Sequence, residues 1–282
     1  MTPFAAFAGR KRLVCSVAAV AVLAMAQHAW ADDSTTASAA STGTTATTAT
    51  TTADSDWKIA IGPGFYLAPQ YPGANRLKVY PFPALDISWR DRIFSQGPDV
   101  LGVNVISSEN YHVGASLSFD FQSRTASDDP HLRGLGNVDD GPKLRLFADY
   151  TVWAFTGAVA VYQDISGDGQ GTTASADLYA SLPLQGWLFS VGPGLTWASA
   201  VYTRTLFGVS AAQSTASGLP QYEAGSGVRD LHVTFAATHD FSKHWVGSVN
   251  ATLGRLEHYA AGSPVTERRR ELTTFGALDY RF

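Results

Sequence analysis

His112, Ser116 and Asp120 stand four residues apart, and their types are those of a base, a nucleophile and an orienting carboxylate. A relay of that kind needs hydrogen-bond contact between its members. The stretch that carries them alternates instead. Tyr111, Val113, Ala115, Leu117, Phe119 and Phe121 take one face, and His112, Gly114, Ser116, Ser118, Asp120 and Gln122 the other. That is the period of a strand, on which a four-residue step spans roughly 13 Å, so the three share a face without meeting. A hydrolytic centre would need His232 or His239 from a neighbouring strand, and no spacing favours either. No metal-ligand spacing occurs, and the glycines of Gly62-Pro63-Gly64 and Gly192-Pro193-Gly194 follow no phosphate-loop pattern. In strands such glycines read as room for side chains reaching across a lumen. The sequence therefore predicts no catalysis, no cofactor and no metal. A net charge of -4 leaves no footprint for nucleic acid.

Charge is nevertheless present on the polar parity of many segments. Lys58, Lys78, Asp86, His112, Asp120, Lys143, Arg145, Asp149, Asp177, Asp240, Asp279 and Arg281 all fall there. Mixed signs in a confined lumen either pair into a network that satisfies buried groups or line a narrow pore or ligand pocket. Arg268, Arg269 and Arg270 form a separate cluster between Glu267 and Glu271. It reads as a solvated loop or as a contact to lipopolysaccharide phosphates, which suit clustered arginines.

The elements that must position these residues are strands. From Trp187 to Trp197 the odd positions read Trp187, Phe189, Val191, Pro193, Leu195 and Trp197 against Ser190, Gly192, Gly194 and Thr196. Ten residues at about 3.3 Å each, tilted roughly 45°, cover about 23 Å, the height of the apolar band of an outer-membrane barrel. Trp187 and Trp197 then belong to its two aromatic girdles. Trp153 and Trp245 each precede an outward face, Phe155, Val159, Val161 and Val249, Ala251, Leu253, and mark the edge that Trp187 marks. Links alternate between short (near Arg90-Asp91, Ser108-Asn110, Val152, Gln185-Gly186, Ser242-His244) and long (Ala68-Asn75, Arg124-Gly141, Ser166-Gly171, Ala200-Gly227, Ala260-Arg270). The expected fold is all-β, an antiparallel transmembrane β-barrel of about twelve strands with both termini in the periplasm. Ten is the alternative if Arg92 to Ser107, split by Gly97-Pro98, is one strand or an inward loop. The ending Leu278-Asp279-Tyr280-Arg281-Phe282 resembles the signal read by the outer-membrane assembly machinery, and Phe282 extends the girdle.

Upstream, Arg10, Lys11 and Arg12, the apolar run Leu13 to Ala26 and Ala29-Trp30-Ala31 predict a signal peptide over residues 1–31, shorter in its apolar run than the roughly 20 residues of a spanning helix. Cys15, the one cysteine, lies inside it. Residues 32–56, nearly all Thr, Ala and Ser, predict a disordered periplasmic tail, and 57–282 the barrel.

Several stretches resemble the MipA/OmpV family of outer-membrane proteins. They are Tyr71-Pro72-Gly73, Tyr80-Pro81-Phe82-Pro83, Val191-Gly192-Pro193-Gly194-Leu195-Thr196-Trp197, Ser217-Gly218-Leu219-Pro220-Gln221-Tyr222-Glu223-Ala224-Gly225 and Tyr280-Arg281-Phe282. The resemblance implies a barrel without catalytic residues, acting as a scaffold that joins a membrane-bound lytic transglycosylase to a peptidoglycan synthase. Other members are tied to osmotic or antibiotic response and to adhesion. A narrow small-solute channel or an envelope-stress barrel is the alternative. No motif for the scaffold contact carries over residue by residue.

Overall fold

The computed structural model describes residues 56–167 and 169–282. The signal segment and the Thr-rich stretch up to Ser55 lie outside the described residues. Twelve strands follow in order: β1 (Trp57–Pro69), β2 (Leu77–Trp89), β3 (Ile93–Gln96), β4 (Asp99–Ser107), β5 (Tyr111–Asp120), β6 (Gly141–Val152), β7 (Phe155–Asp164), β8 (Thr172–Leu184), β9 (Trp187–Ala198), β10 (Gly227–Asp240), β11 (Trp245–Leu256) and β12 (Arg270–Arg281). Each pairs antiparallel with its sequence neighbours, and β12 returns to β1, so the barrel is closed. Gly97-Pro98 does split two strands, which settles the count at twelve rather than ten.

The alternation read from sequence becomes the two sides of the wall. On β6, Lys143, Arg145, Phe147 and Asp149 are buried inside, while Leu144, Leu146 and Tyr150 are exposed outside. The outward apolar face runs around the circumference, with Val159, Leu178 and Leu253 each 53% exposed. A water-soluble protein does not leave so large a continuous patch uncovered. Among the described residues no helix is long and apolar enough to cross a bilayer.

The barrel's ends differ. At one end the links are tight, and Arg90, Asp91, Trp153, Gln185 and Gly186 adopt positive φ, as the mirror-image turns that match strand twist require. Trp153 therefore lies in a turn and not at the start of a strand. At the other end the long loops fold. A short 3-10 turn (Pro130–Leu132) and three helices, α1 (Ala200–Phe207), α2 (Ala211–Ser217) and α3 (His258–Gly262), build a cap over the mouth. The Ser199 side chain caps α1 by accepting from the Tyr202 amide, and Ser210 with Gln213 forms a capping box on α2.

Two apolar clusters hold the cap. Tyr202, Leu206, Phe207, Leu256 and Ala260 form one, and Tyr71, Leu132, Leu135, Val209 and Val265 the other. Burial raises the phenol pKa of both Tyr71 and Tyr202, so each remains a donor: Tyr71 Oη to Glu267 at 3.0 Å, Tyr202 Oη to Gln122 at 2.8 Å. Tyr202 is fully buried, and Tyr202→Ala is expected to weaken the cap by about 3–5 kcal/mol, the usual loss for a buried aromatic. Proteolysis should then cut within residues 199–226 while the strands stay resistant. Equal resistance of that segment in wild type and variant would refute the assignment.

Candidate functional site

The charged lumen residues fall into defined contacts. Near the tight-turn end Lys58 Nζ lies 2.9 Å from Asp91, Arg281 Nη1 lies 2.7 Å from Asp240, and Gln96 Nε2 donates to Asp86 at 3.0 Å. Asp279 is buried beside them. Also towards that end His112 Nδ1 meets Asp149 at 3.1 Å, and at mid-height Arg145 Nη1 meets Asp99 at 2.5 Å over the ring of Phe147. Lys143 pairs with Asp120. Lys78 is exposed near the capped end with Nζ 4.9 Å above the Tyr80 ring. His112, Ser116 and Asp120 thus take three different partners, because Ser116 Oγ donates to Asp99 at 2.9 Å.

A cavity of about 430 Å³ lies beneath the cap. One wall is polar. His232 sits between Asp177 and Asp230, each 2.8 Å from a ring nitrogen, and Arg229 joins Asp230 at 2.6 Å. With a carboxylate on both nitrogens His232 has no free lone pair to act as a base. His239, near the tight-turn end of the same strand, packs on Trp187 with ring centroids 4.5 Å apart, outside the cavity. Arg229 also donates to Tyr202 Oη at 2.8 Å, tying the cavity roof to the wall. Ser175 Oγ and Thr196 Oγ1 are buried in this wall without a hydrogen-bond partner.

The opposite wall is aromatic. Tyr66 lies 6.3 Å from Tyr80 and 6.2 Å from Phe121, Phe82 stacks on Phe275 at 5.5 Å, and Phe119 lies 5.2 Å from Phe121. Such a chamber has one face for hydrocarbon and one for hydrogen bonds.

Sequence reasoning missed Asp99, Arg229, Asp230 and Glu271 as lumen groups. Asp230 shares the parity of His232, which was a usable signal. Arg229 does not; a register shift between Val228 and Asp230 turns it inward. Of the two Gly-Pro-Gly motifs, Gly194 makes room for lumen side chains, those of Asp177 and His232 on the adjacent strands, whereas Gly62 and Gly192 differ from expectation. A Cβ on Gly62 would fall 1.9 Å from the Leu278 carbonyl oxygen, and one on Gly192 2.0 Å from that of Leu178. Gly62 and Gly192 thus admit the backbone of the adjacent strand rather than side chains from across the lumen.

Residues 61–282 match the family described as MltA-interacting protein MipA. The chain belongs to that family. This MipA-family chain is an outer-membrane β-barrel protein. Among solved structures it is similar to Salmonella typhi OmpF, in complex with daunomycin, at 12% identity over 78% of this chain and 57% of that one, with a TM-score of 0.33. It is also similar to an anion-selective porin from Comamonas acidovorans at 10% identity over 80% of this chain and 98% of that one, with a TM-score of 0.37. The MipA-family barrel thus spans just over half the length of the OmpF chain. Comparison with curated proteins gives no match.

On this MipA-family barrel, Trp153, Trp187 and Trp245 stand at the tight-turn end and Trp197 at the capped end of β9, all outward-exposed. Phe282 is 71% exposed beside Tyr280. Trp57 and Trp89, paired across β1 and β2 with centroids 6.4 Å apart, stand at the same end. Arg268, Arg269 and Arg270 are exposed at the capped end, with Arg255 opposite Arg270 in register.

Proposed function

We propose that the barrel is a non-catalytic scaffold in the outer membrane that holds a lytic transglycosylase of the MltA type and, through it, a peptidoglycan synthase. The observation that carries this reading is a lumen whose charges are tied to one another under a folded cap, which makes a rigid platform rather than a wide pore. The family's description supplies the partner. In this reading the tight-turn end and both termini face the periplasm, and the Trp and Phe282 positions sit at the membrane edges. Arg268, Arg269 and Arg270 then meet lipopolysaccharide phosphates on the outer side.

The test is photo-cross-linking from the turns at Arg90–Arg92, Ser108–Asn110 and Lys243 of the detergent-purified barrel to a purified MltA-type enzyme. Adducts are expected at those turns and not at the cap. An intact barrel that forms no adduct, or forms it only at the cap, overturns the scaffold reading.

The cavity favours a second reading, a narrow channel for small solutes. Planar bilayers decide between them. Silence is expected, whereas discrete conductance steps shifted by Lys143→Ala would replace the scaffold with a pore.

A further inference from the structure

β3 has four residues and its hairpin partner β4 nine, between β2 with 13 and β5 with ten. It pairs only with Asp86–Trp89 of β2 before Gly97-Pro98 turns the chain back into β4. Among the described residues no strand pairs with the flank of β2 from Leu77 to Leu85 that faces β3, although β1 covers its other flank throughout. On the far side the ladder ends where the Phe119 amide donates to the Pro98 carbonyl at 2.8 Å. The wall therefore has a window in its capped half, with Gly97-Pro98 as the sill.

Such an opening is costly in lipid, where an unpaired backbone donor has no water to bind. The sequence lowers that cost. Pro63 lies opposite Pro83 in the β1–β2 ladder, and neither has an N–H, so the pair exchanges no bonds and its backbone groups face the outer flanks. By the two-residue period Pro81 does the same. The bare flank of β2 is thus where two prolines remove donors, as edge strands require.

The window leads into the aromatic side of the cavity. Pro81 and Phe119 lie on the outward parity of their strands, and Phe121 follows just beyond β5, yet all three line the same cavity as inward-facing Tyr66 and Phe275. The Phe121 ring is half exposed and reaches Tyr66 on β1, a contact that crosses the gap. Opposite the window wait Ser175 Oγ and Thr196 Oγ1, both about 5% exposed as residues and unpartnered. The lysine and arginine that line the cavity are already held by carboxylates, Lys143 by Asp120 and Arg229 by Asp230, so the site does not select an anionic head.

We propose that this window admits, sideways from the bilayer, a single-chain amphiphile whose hydrocarbon tail lies on the aromatic wall and whose uncharged, hydrogen-bonding head meets Ser175 and Thr196. The proposal stands whether or not the barrel is a scaffold.

A long-chain monoacylglycerol carrying a diazirine in its acyl chain is the probe, with the full chain reconstituted in phosphatidylcholine vesicles and adducts mapped by mass spectrometry. Adducts are expected on lumen-facing Tyr66 or Phe275 as well as on the outward faces of all strands. Ser175→Phe, which fills the cavity, should lower the lumen adducts by about tenfold, the effect of a modest change in affinity, while the outward ones persist as a control for insertion. Phe121→Ala, which widens the window, should raise them. Adducts confined to outward-facing residues would overturn the proposal. So would lumen labelling by a short-chain, water-soluble analogue that equals the long-chain probe, since that places entry at the aqueous mouth.

Discussion

Gly192→Ala abolishes folding of the barrel, with Gly62→Ala behaving alike. In each case the added methyl carbon would lie about as close to a carbonyl oxygen as a strong hydrogen bond's proton does: 2.0 Å from Leu178 and 1.9 Å from Leu278. The obstacle is backbone and not a flexible side chain, so relief requires moving a neighbouring strand. Both sites coincide with breaks in a ladder. β1 and β12 skip from Ile61 to Gly64, and β8 and β9 skip between Asp177–Gly194 and Ala180–Val191. The middle prolines, Pro63 and Pro193, have no N–H to give at those breaks. Overpacking a well-formed interior costs about 1–3 kcal/mol, and an obstruction by backbone, which no rotamer change relieves, exceeds that range. The readout is the heat-modifiable gel mobility of the refolded protein. Gly157→Ala is the matched control, because a Cβ there meets nothing within 4 Å. A Gly192→Ala protein that folds to the same yield as Gly157→Ala would show that the ladder breaks are slack.

These glycines also show where sequence reading stops. Alternation is a property of each segment alone, so strands such as Tyr111–Asp120 and Trp187–Ala198 were visible without knowledge of any partner. The break at Gly97-Pro98 was visible for the same reason. Its consequence was not: a hairpin whose first strand has four residues matters only because β2 and β5 run past it, and that depends on register. The inward charges were legible as a set, since parity selects them, but partners such as Arg145 and Asp99 are 46 positions apart. The cap was the least legible part. Tyr71, Leu132, Val209 and Val265 come from four different loops, and no periodic pattern links them. Only their meeting makes a core. For the triad geometry, distance along one strand was enough to reject it, and the separate partners of His112, Ser116 and Asp120 follow from their neighbours on other strands.

Asp99→Ala has the second large expected effect, a loss of about 3–5 kcal/mol in barrel stability, the usual result of leaving a buried cation without its counter-ion. Arg145 is 2% exposed, and its charge is balanced at 2.5 Å by Asp99, which Ser116 also orients. Without Asp99 the guanidinium keeps the face of Phe147 at 4.3 Å and Tyr162, whose ring lies at 5.9 Å and whose neutral hydroxyl is a hydrogen-bond neighbour. Cation–π contact with such rings is worth about 0.5–2 kcal/mol and does not replace a carboxylate. Two of its nitrogens, Nε and Nη2, already lack partners, so the residue has little reserve. Removing both charges is a different matter. Asp99→Leu with Arg145→Met leaves no uncompensated ion and fills the space with apolar atoms, and paired replacements of this kind are often neutral. Urea unfolding of the barrel in lipid vesicles should therefore rank the double variant near wild type and the single variant far below. If the double variant is as unstable as Asp99→Ala, the loss comes from packing around Gly102 and Phe94 rather than from charge, since the Phe94 ring fills the space a Cβ on Gly102 would need.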